Sequence, residues 1–141
     1  MSRGQGAMRE KPLVLVAEDD PAIRKMIGLQ LLHIGADVIE VGDGVAAIAY
    51  LQNNRPDMVC LDLSLPITSG FEVFRQLRLD PRTTSVPVLV VTGRTGLQDE
   101  ATVEELKPEG YLPKPLKFRV FCDVARKLLE PFFAELKRAK Q

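Results

Sequence analysis

Four short apolar runs in this 141-residue chain each end on a side chain that could take part in chemistry. Glu18 and Asp19 follow the first run, Asp62 follows the second, Thr92 ends the third, and Lys114 follows the last. If the runs are parallel strands, these ends meet at the sheet edge where ligands bind in open α/β folds. Three crowded carboxylates repel one another unless a cation neutralises them, and an all-oxygen set suits a hard ion such as Mg²⁺. The lysine and the hydroxyl could then bind the oxygens of a phosphoryl group.

A purely structural arrangement of the same residues is the alternative. Asp62 would only begin a turn, as aspartate often does, and Lys114 would form a structural salt bridge with it. Thr92 would then be no more than a strand-end cap. The sequence alone leaves this alternative open.

Apolar runs and helical patterns alternate along the chain and must position these side chains. Continuous apolar runs predict strands covered on both faces, and the mixed segment 36–41 predicts a strand near a sheet edge. The predicted strands are Leu13–Ala17, Ala36–Val41, Met58–Leu61, Val86–Val91 and Gly110–Pro113. The predicted helices begin at Pro21, Val45, Phe71, Leu97 and Lys117. Short connections and right-handed crossovers then give an α/β fold, a single five-stranded doubly wound parallel sheet with five helices on both faces.

Two of the predicted helices carry an apolar stripe that should face the sheet. In the first helix the stripe comprises Ile23, Met26, Ile27, Gln30 and Leu31. In the last helix it comprises Val120, Phe121, Val124 and Leu128. We expect these side chains to be buried.

Composition and charge narrow the class of protein. Hydrophobic residues make up 45% of the chain, and 19 basic residues balance 19 acidic ones, so there is no electrostatic footprint for direct binding of nucleic acid or an anionic membrane. No apolar stretch is long enough to span a bilayer, and the polar N-terminal segment has no signal-peptide core. Cys60 and Cys122 are not in a C-x-x-C pair and indicate buried thiols in a reducing cytoplasm. We therefore expect a cytoplasmic protein.

Four segments together carry a resemblance to a known family. They read VLVAEDDPAIR, PDMVCLDLSLPITSG, VPVLVVTG and GYLPKPL. In this order and spacing, they resemble a bacterial two-component response-regulator receiver domain, from Leu13 to about Leu129. The resemblance implies the flavodoxin-like strand order 2-1-3-4-5 and a phosphorylation-switched receiver that is not a conventional enzyme.

The resemblance also implies the role of each acid. Asp62 would be the phospho-acceptor, which takes a phosphoryl group from a phosphohistidine in a self-catalysed, Mg²⁺-dependent reaction. Asp19, Asp62 and the backbone carbonyl of Ser64 would be the direct Mg²⁺ ligands. Glu18 stands where the family most often has aspartate, and it would bind the ion through a water.

The remaining matched residues would bind and report the phosphoryl group. Thr92 and Lys114 would contact its oxygens, and Tyr111 matches the switch aromatic of the family. The Lys114–Pro115 peptide bond is expected to be cis. These roles agree with phosphoryl transfer in general, which needs positioning and charge neutralisation more than covalent chemistry from the protein. Movement of Thr92 toward the phosphoryl group would open space that Tyr111 could occupy.

The expected partners are proteins of a signalling relay. A sensor histidine kinase or a histidine phosphotransfer protein would donate the phosphoryl group, and a downstream effector protein would bind the changed surface. A degenerate receiver that acts only as a docking module is the alternative. A phosphatase of the haloacid-dehalogenase type is disfavoured, because that family needs a second acid where Ser64 stands. The chain would be a stand-alone receiver or one excised from a larger protein.

The C-terminal segment exceeds what the family needs, since the fifth helix should be complete near Leu129. Phe132, Phe133 and Leu136 continue the apolar stripe, whereas Pro131 should break or kink the helix or begin a new one. The two rings either fold back on the domain or bury against a partner or a second copy. A homodimer would then form through the fourth and fifth helices or this extension. We therefore expect a flexible leader 1–11, a receiver domain 12–130 and a C-terminal extension 131–141.

Overall fold

Five parallel strands form one sheet in the computed structural model, which describes residues 9–93 and 104–141. The strand order is β2-β1-β3-β4-β5, which confirms the predicted order. The strands are β1 (Leu13–Ala17), β2 (Asp37–Val41), β3 (Met58–Leu61), β4 (Val88–Thr92) and β5 (Gly110–Pro113). Asp37–Val41 lies at one edge of the sheet, as its mixed composition predicted.

Helices follow the strands and cover the sheet. They are α1 (Pro21–His33), α2 (Gly44–Asn53), α3 (Gly70–Leu79) and a C-terminal helix (Phe118–Ala139). The helix predicted to begin at Leu97 lies mostly outside the described residues, and residues 104–106 of it are helical. No helix in the described part of the chain combines the length and the apolar character needed to cross a bilayer.

Side-chain caps begin the first three helices, shortly after the strand ends for α1 and α2 and after the loop 62–69 for α3. Asp20 accepts hydrogen bonds from the backbone of Ala22 and Ile23 at the start of α1. Asp43 caps α2 and Ser69 caps α3 in the same way. Each cap satisfies donors that the helix leaves unpaired and stabilises it by about 1 kcal/mol. The caps therefore fix the residue at which each of these helices begins.

Two hydrophobic clusters lie on opposite faces of the sheet, and β3 contributes to both. Its odd-numbered residues, Val59 and Leu61, belong to one cluster, and Met58 and Cys60 belong to the other. All four are buried, because helices cover both faces of a parallel sheet. Burial of each such side chain contributes about 1.5–3 kcal/mol to folding. The strand that leads to Asp62 is therefore firmly anchored.

Two predicted core positions are wrong. Met26 of α1 is 42% exposed and Val120 of the C-terminal helix is 44% exposed. Ile27, Leu31 and Phe121 of the same two stripes are buried as predicted. A helix packed on a sheet buries only its central stripe, so apolar residues at the margin of the stripe remain in contact with water.

The C-terminal helix is continuous through Pro131, so it neither breaks at this residue nor begins anew there, contrary to two of the predicted outcomes. The residues after the proline pack back on the domain: Phe133 packs against the second core cluster, and the Arg9 guanidinium lies 5.8 Å from the centre of the Phe132 ring. Lys140 forms a 2.7 Å ion pair with Glu10 near the end of the helix. These contacts offset the backbone hydrogen bond that Pro131 cannot donate. In this chain the rings of Phe132 and Phe133 fold back on their own domain.

Candidate functional site

Three carboxylates meet where β1 and β3 end. Ala17 and Leu61 are paired across the two strands, and the amide of Asp62 donates to the carbonyl of Ala17 at 3.0 Å. The next side chains therefore come side by side. Carboxylate oxygens of Glu18, Asp19 and Asp62 all lie within 4.8 Å of one another. Glu18 and Asp62 are only 1% and 4% exposed, whereas Asp19 is exposed to solvent.

Lys114 brings a positive charge to these acids from the end of β5. Its amide donates to the carbonyl of Thr92 at 3.0 Å, which fixes the start of the side chain. Its Nζ lies 2.8 Å from Glu18 Oε1 and 2.9 Å from Asp62 Oδ2. The ion pair with Asp62 that the structural alternative proposed is present, and the same ammonium also contacts Glu18. The Lys114–Pro115 peptide bond is cis.

Burial and charge shift the ionisation of the two groups that share this contact. Burial raises the pKa of Glu18, and the nearby charge of Asp62 adds to the rise, while the hydrogen bonds from Lys114 and the Asp20 amide lower it in part. For Lys114, burial alone would lower the pKa. The hydrogen bonds to Asp62 and Glu18 and the negative charges of these two carboxylates together outweigh burial and raise the pKa of Lys114 above its ordinary value. Lys114 therefore stays protonated. Its single positive charge faces the two buried carboxylates of Glu18 and Asp62.

The donor set fits a small divalent cation. Glu18 Oε1 is a buried carboxylate oxygen that makes an ion pair with the Lys114 ammonium at 2.8 Å and accepts no other hydrogen bond from the described residues. Asp62 Oδ1 accepts from the backbone amide of Ser64 at 2.9 Å, which orients the carboxylate. Carboxylate oxygens in this number are what Mg²⁺ binds, usually with water completing its shell. Glu18, Asp19 and Asp62 are the residues that could hold such an ion.

Thr92 and Tyr111, which were also predicted, lie on the two strands beyond β3. Thr92 is the last residue of β4 and is fully buried. Tyr111 stands opposite Val90 on β5 and is 37% exposed. The position of Thr92 suits a hydroxyl at the sheet edge, and the position of Tyr111 suits a ring at the surface. Their roles toward a phosphoryl group stay predictions.

The loop after Asp62 is held in a strained conformation. Ile67 has φ +70°, and the amide of Thr68 donates to the carbonyl of Pro66 at 2.8 Å, which makes a tight γ-turn. A β-branched residue rarely adopts this conformation. The loop returns to the strand at Gly70, where an added Cβ would overlap the Asp62 carbonyl and lie 2.6 Å from Cα of Leu63. Only glycine therefore lets α3 start this close to the acid.

Arg24 was not among the residues predicted from the sequence, yet it contacts the site. Its Nη1 donates to the backbone carbonyl of Glu18 at 2.9 Å. A basic residue in the first turn of a helix is easily taken for a surface residue. The available signal was its distance of only four residues from the helix cap Asp20, which places it over the acidic segment.

Comparison with known proteins agrees with this geometry. The profile of the response regulator receiver domain matches residues 14–126. The DNA-binding dual master transcriptional regulator RpaA of Synechocystis is 36% identical over 118 residues, which cover 84% of this chain and 49% of RpaA. The chain spans about half the length of the curated relatives it matches.

Two solved structures of response regulators are similar in fold. The phosphorylated cyanobacterial phytochrome response regulator RcpA is 26% identical, with a TM-score of 0.73 over 85% of this chain and 92% of RcpA. The Mn²⁺-bound form of response regulator Rcp1 is 28% identical, with a TM-score of 0.72 over 84% of this chain and 91% of Rcp1. By the extent of the profile match and by the likeness of sequence and fold, this chain belongs to the response regulator receiver domain family.

Proposed function

We propose that Asp62 accepts a phosphoryl group from a histidine of a sensor kinase or phosphotransfer protein, in a Mg²⁺-dependent reaction that switches the receiver. The observation that carries this proposal is the cluster at one sheet edge, where carboxylate oxygens of Glu18, Asp19 and Asp62 lie within 4.8 Å of one another and the Lys114 ammonium lies 2.8 Å from Glu18 and 2.9 Å from Asp62. The phosphorylated state of RcpA and the metal-bound state of Rcp1 support it for proteins of similar fold.

The chemistry needs one nucleophile and several groups that neutralise charge. An Asp62 oxygen attacks the phosphorus, the phosphorus–nitrogen bond of the phosphohistidine breaks, and the electron pair stays on the departing imidazole. Asp19, Asp62 and the Ser64 carbonyl would hold Mg²⁺, and Glu18 would hold it through water. When bound, the ion supplies positive charge to the phosphoryl oxygens.

The chain's own residues prepare and report this transfer. The Ser64 amide fixes one Asp62 oxygen at 2.9 Å, so the carboxylate cannot rotate freely. Lys114 already lies 2.9 Å from the other oxygen, and we propose that its ammonium then donates to a phosphoryl oxygen. The Thr92 hydroxyl would donate to a second phosphoryl oxygen, and Tyr111 would change its exposure in response.

The phosphorylated surface would be bound by a downstream effector protein. The balanced charge of the chain supports a protein partner rather than direct contact with nucleic acid, and we propose that this relay operates in the cytoplasm. Self-association through the C-terminal extension is a further proposal. The folding back of Phe132 and Phe133 on the domain reduces the apolar surface available for it.

The test is phosphorylation by a small donor. Wild type, Asp62→Asn and the exposed-site control Asp123→Asn are incubated with Mg²⁺ and acetyl phosphate and analysed by intact-mass spectrometry. We expect one added phosphate on the wild type and the control and none on Asp62→Asn. Omission of Mg²⁺ should abolish labelling. Labelling of Asp62→Asn equal to that of wild type would refute the assignment, and no labelling of any protein would favour a docking module.

A further inference from the structure

Arg24 connects α1, the acidic segment after β1 and the end of β2. Its Nη1 donates to the Glu18 carbonyl at 2.9 Å, and its Nε lies 3.7 Å from Glu40 Oε1. Its own amide donates to the carbonyl of Asp20 at 2.8 Å as part of the first helical turn. One side chain therefore joins three elements at a point directly beside the acids.

The contacts hold the backbone of Glu18 at both its amide and its carbonyl. The Glu18 amide donates to the Val41 carbonyl at 3.1 Å, and the Glu18 carbonyl accepts from Arg24. One Glu18 carboxylate oxygen accepts from the Asp20 amide at 3.1 Å. Asp19 follows this fixed peptide, so the backbone of Glu18 sets where the exposed Asp19 carboxylate begins.

Two glycines leave the space that the Arg24–Glu40 pair occupies. An added Cβ at Gly42 would lie 3.1 Å from Arg24 Nη1. An added Cβ at Gly28, inside α1, would lie 2.8 Å from Glu40 Oε2. Glycine in a helix interior costs about 1 kcal/mol relative to alanine, and here it leaves room for the carboxylate that pairs with Arg24. Two glycines thus border the same ion pair.

We propose that Arg24 is a positioning residue for the acids that would hold Mg²⁺, an inference that rests on the proposed function. It fixes the carbonyl of Glu18, and through that peptide it sets the direction in which the Asp19 carboxylate leaves the backbone. It contacts neither the ion nor the phosphoryl group. Groups that orient a metal ligand in this way commonly change metal affinity by about 10-fold or more when they are removed.

The direction in which removal of Arg24 changes Mg²⁺ affinity distinguishes a positioning role from a purely electrostatic one. Arg24 is a cation near a cation site, so by Coulomb's law its removal as a mere charge would tighten Mg²⁺ binding. If Arg24 positions the acids, its removal weakens binding, since the carboxylates no longer converge. The two roles predict opposite changes in the same dissociation constant.

The experiment measures Mg²⁺ binding to the full chain by isothermal titration calorimetry. The variants are Arg24→Ala, Arg24→Lys, Gly42→Ala and the control Arg75→Ala, whose side chain forms an exposed ion pair with Glu72. We expect Arg24→Ala to weaken Mg²⁺ binding about 10-fold and Arg24→Lys to restore part of the loss. Gly42→Ala keeps the charge and displaces the guanidinium, so it should weaken binding by a smaller factor. Arg75→Ala should bind as wild type does.

Unchanged or tighter Mg²⁺ binding in Arg24→Ala would overturn the proposal while leaving the proposed function intact. If Arg24→Ala does not fold, Gly42→Ala and Arg24→Lys decide the question, and wild-type affinity in both would overturn it. Melting curves without metal check that any loss of affinity is not general unfolding. A wild type that binds no Mg²⁺ would overturn both this inference and the proposed function, and acetyl phosphate labelling of that wild type then shows whether Asp62 accepts phosphate at all.

Discussion

Replacement of Lys114 by methionine tests the electrostatics of the site without any phosphoryl chemistry. The Nζ atom lies 2.8 Å from Glu18 Oε1 and 2.9 Å from Asp62 Oδ2, and both carboxylates are buried. Methionine keeps most of the apolar stem and removes only the ammonium. The variant therefore leaves two buried negative charges facing each other with no cation between them.

The expected loss of stability is large. At an effective dielectric constant near 20, each contact corresponds to a gross attraction of about 6 kcal/mol, most of which is offset by desolvation. Removal of one partner from a buried pair typically costs about 3–5 kcal/mol. We expect a loss in that range at pH 7 without metal. This is a substantial part of the stability of a small domain, which is about 5–15 kcal/mol.

The loss should depend on pH in a defined direction. Burial raises the pKa of Glu18, and removal of Lys114 takes away a group that lowers it. The folded variant then binds a proton more readily than the unfolded chain, so its stability falls as pH rises through the raised pKa of Glu18. The deficit of Lys114→Met relative to wild type should therefore shrink in mildly acidic buffer, where the carboxylate is protonated.

The assay is urea denaturation followed by far-ultraviolet circular dichroism, since the chain has no tryptophan. Wild type, Lys114→Met and the exposed-site control Lys127→Met are compared in chelator and then with Mg²⁺ added. Mg²⁺ should restore part of the lost stability, because a bound ion stabilises the folded state by about 2.7 kcal/mol at a concentration 100 times its dissociation constant. A deficit below about 1 kcal/mol in chelator would refute the assignment of Lys114 as the internal counter-ion.

Three further changes have defined outcomes. Asp19→Ala should abolish most Mg²⁺ binding in a calorimetric titration, and wild-type affinity would exclude Asp19 as a ligand. Because the carboxylate is exposed, the same variant should change the metal-free stability by less than about 1 kcal/mol. Gly70→Ala should lower the free energy of unfolding by about 3 kcal/mol in urea, because its Cβ would overlap the Asp62 carbonyl; a loss below about 1 kcal/mol would show that the loop relaxes. Burial raises the pKa of the Cys60 thiol, so iodoacetamide at pH 8 should alkylate it only in denaturant, and mass spectrometry would reveal native alkylation as a failure of this prediction.

The sheet and the acid cluster could be predicted because both follow from local patterns. Continuous apolar runs identify buried parallel strands, and the polar residue that ends each run, such as Asp62, necessarily lies at the sheet edge. The additional contact between Lys114 and Glu18 could not be predicted. Which of several nearby acids an ammonium contacts depends on the local geometry of side chains, which a sequence pattern does not contain.

The misjudged residues depend on packing rather than on local pattern. Met26 and Val120 have the spacing of core residues but lie at the margin of a helix face. Pro131 is unfavourable inside a helix by about 3 kcal/mol, yet tertiary contacts of Phe132 and Phe133 support the turns that follow it. Arg24 was missed because only the fold brings its guanidinium over the Glu18 carbonyl.

The placement of β3 between two hydrophobic clusters also bears on how such a domain can diversify. Every residue from Met58 to Leu61 contacts a packed core, so nearly any substitution there lowers the free energy of unfolding. Ser64 and Ile67 lie just beyond the strand and are exposed, so their side chains can vary at little cost to the core. Substitutions in this loop can therefore change the surroundings of Asp62 without disturbing the strand that leads to it.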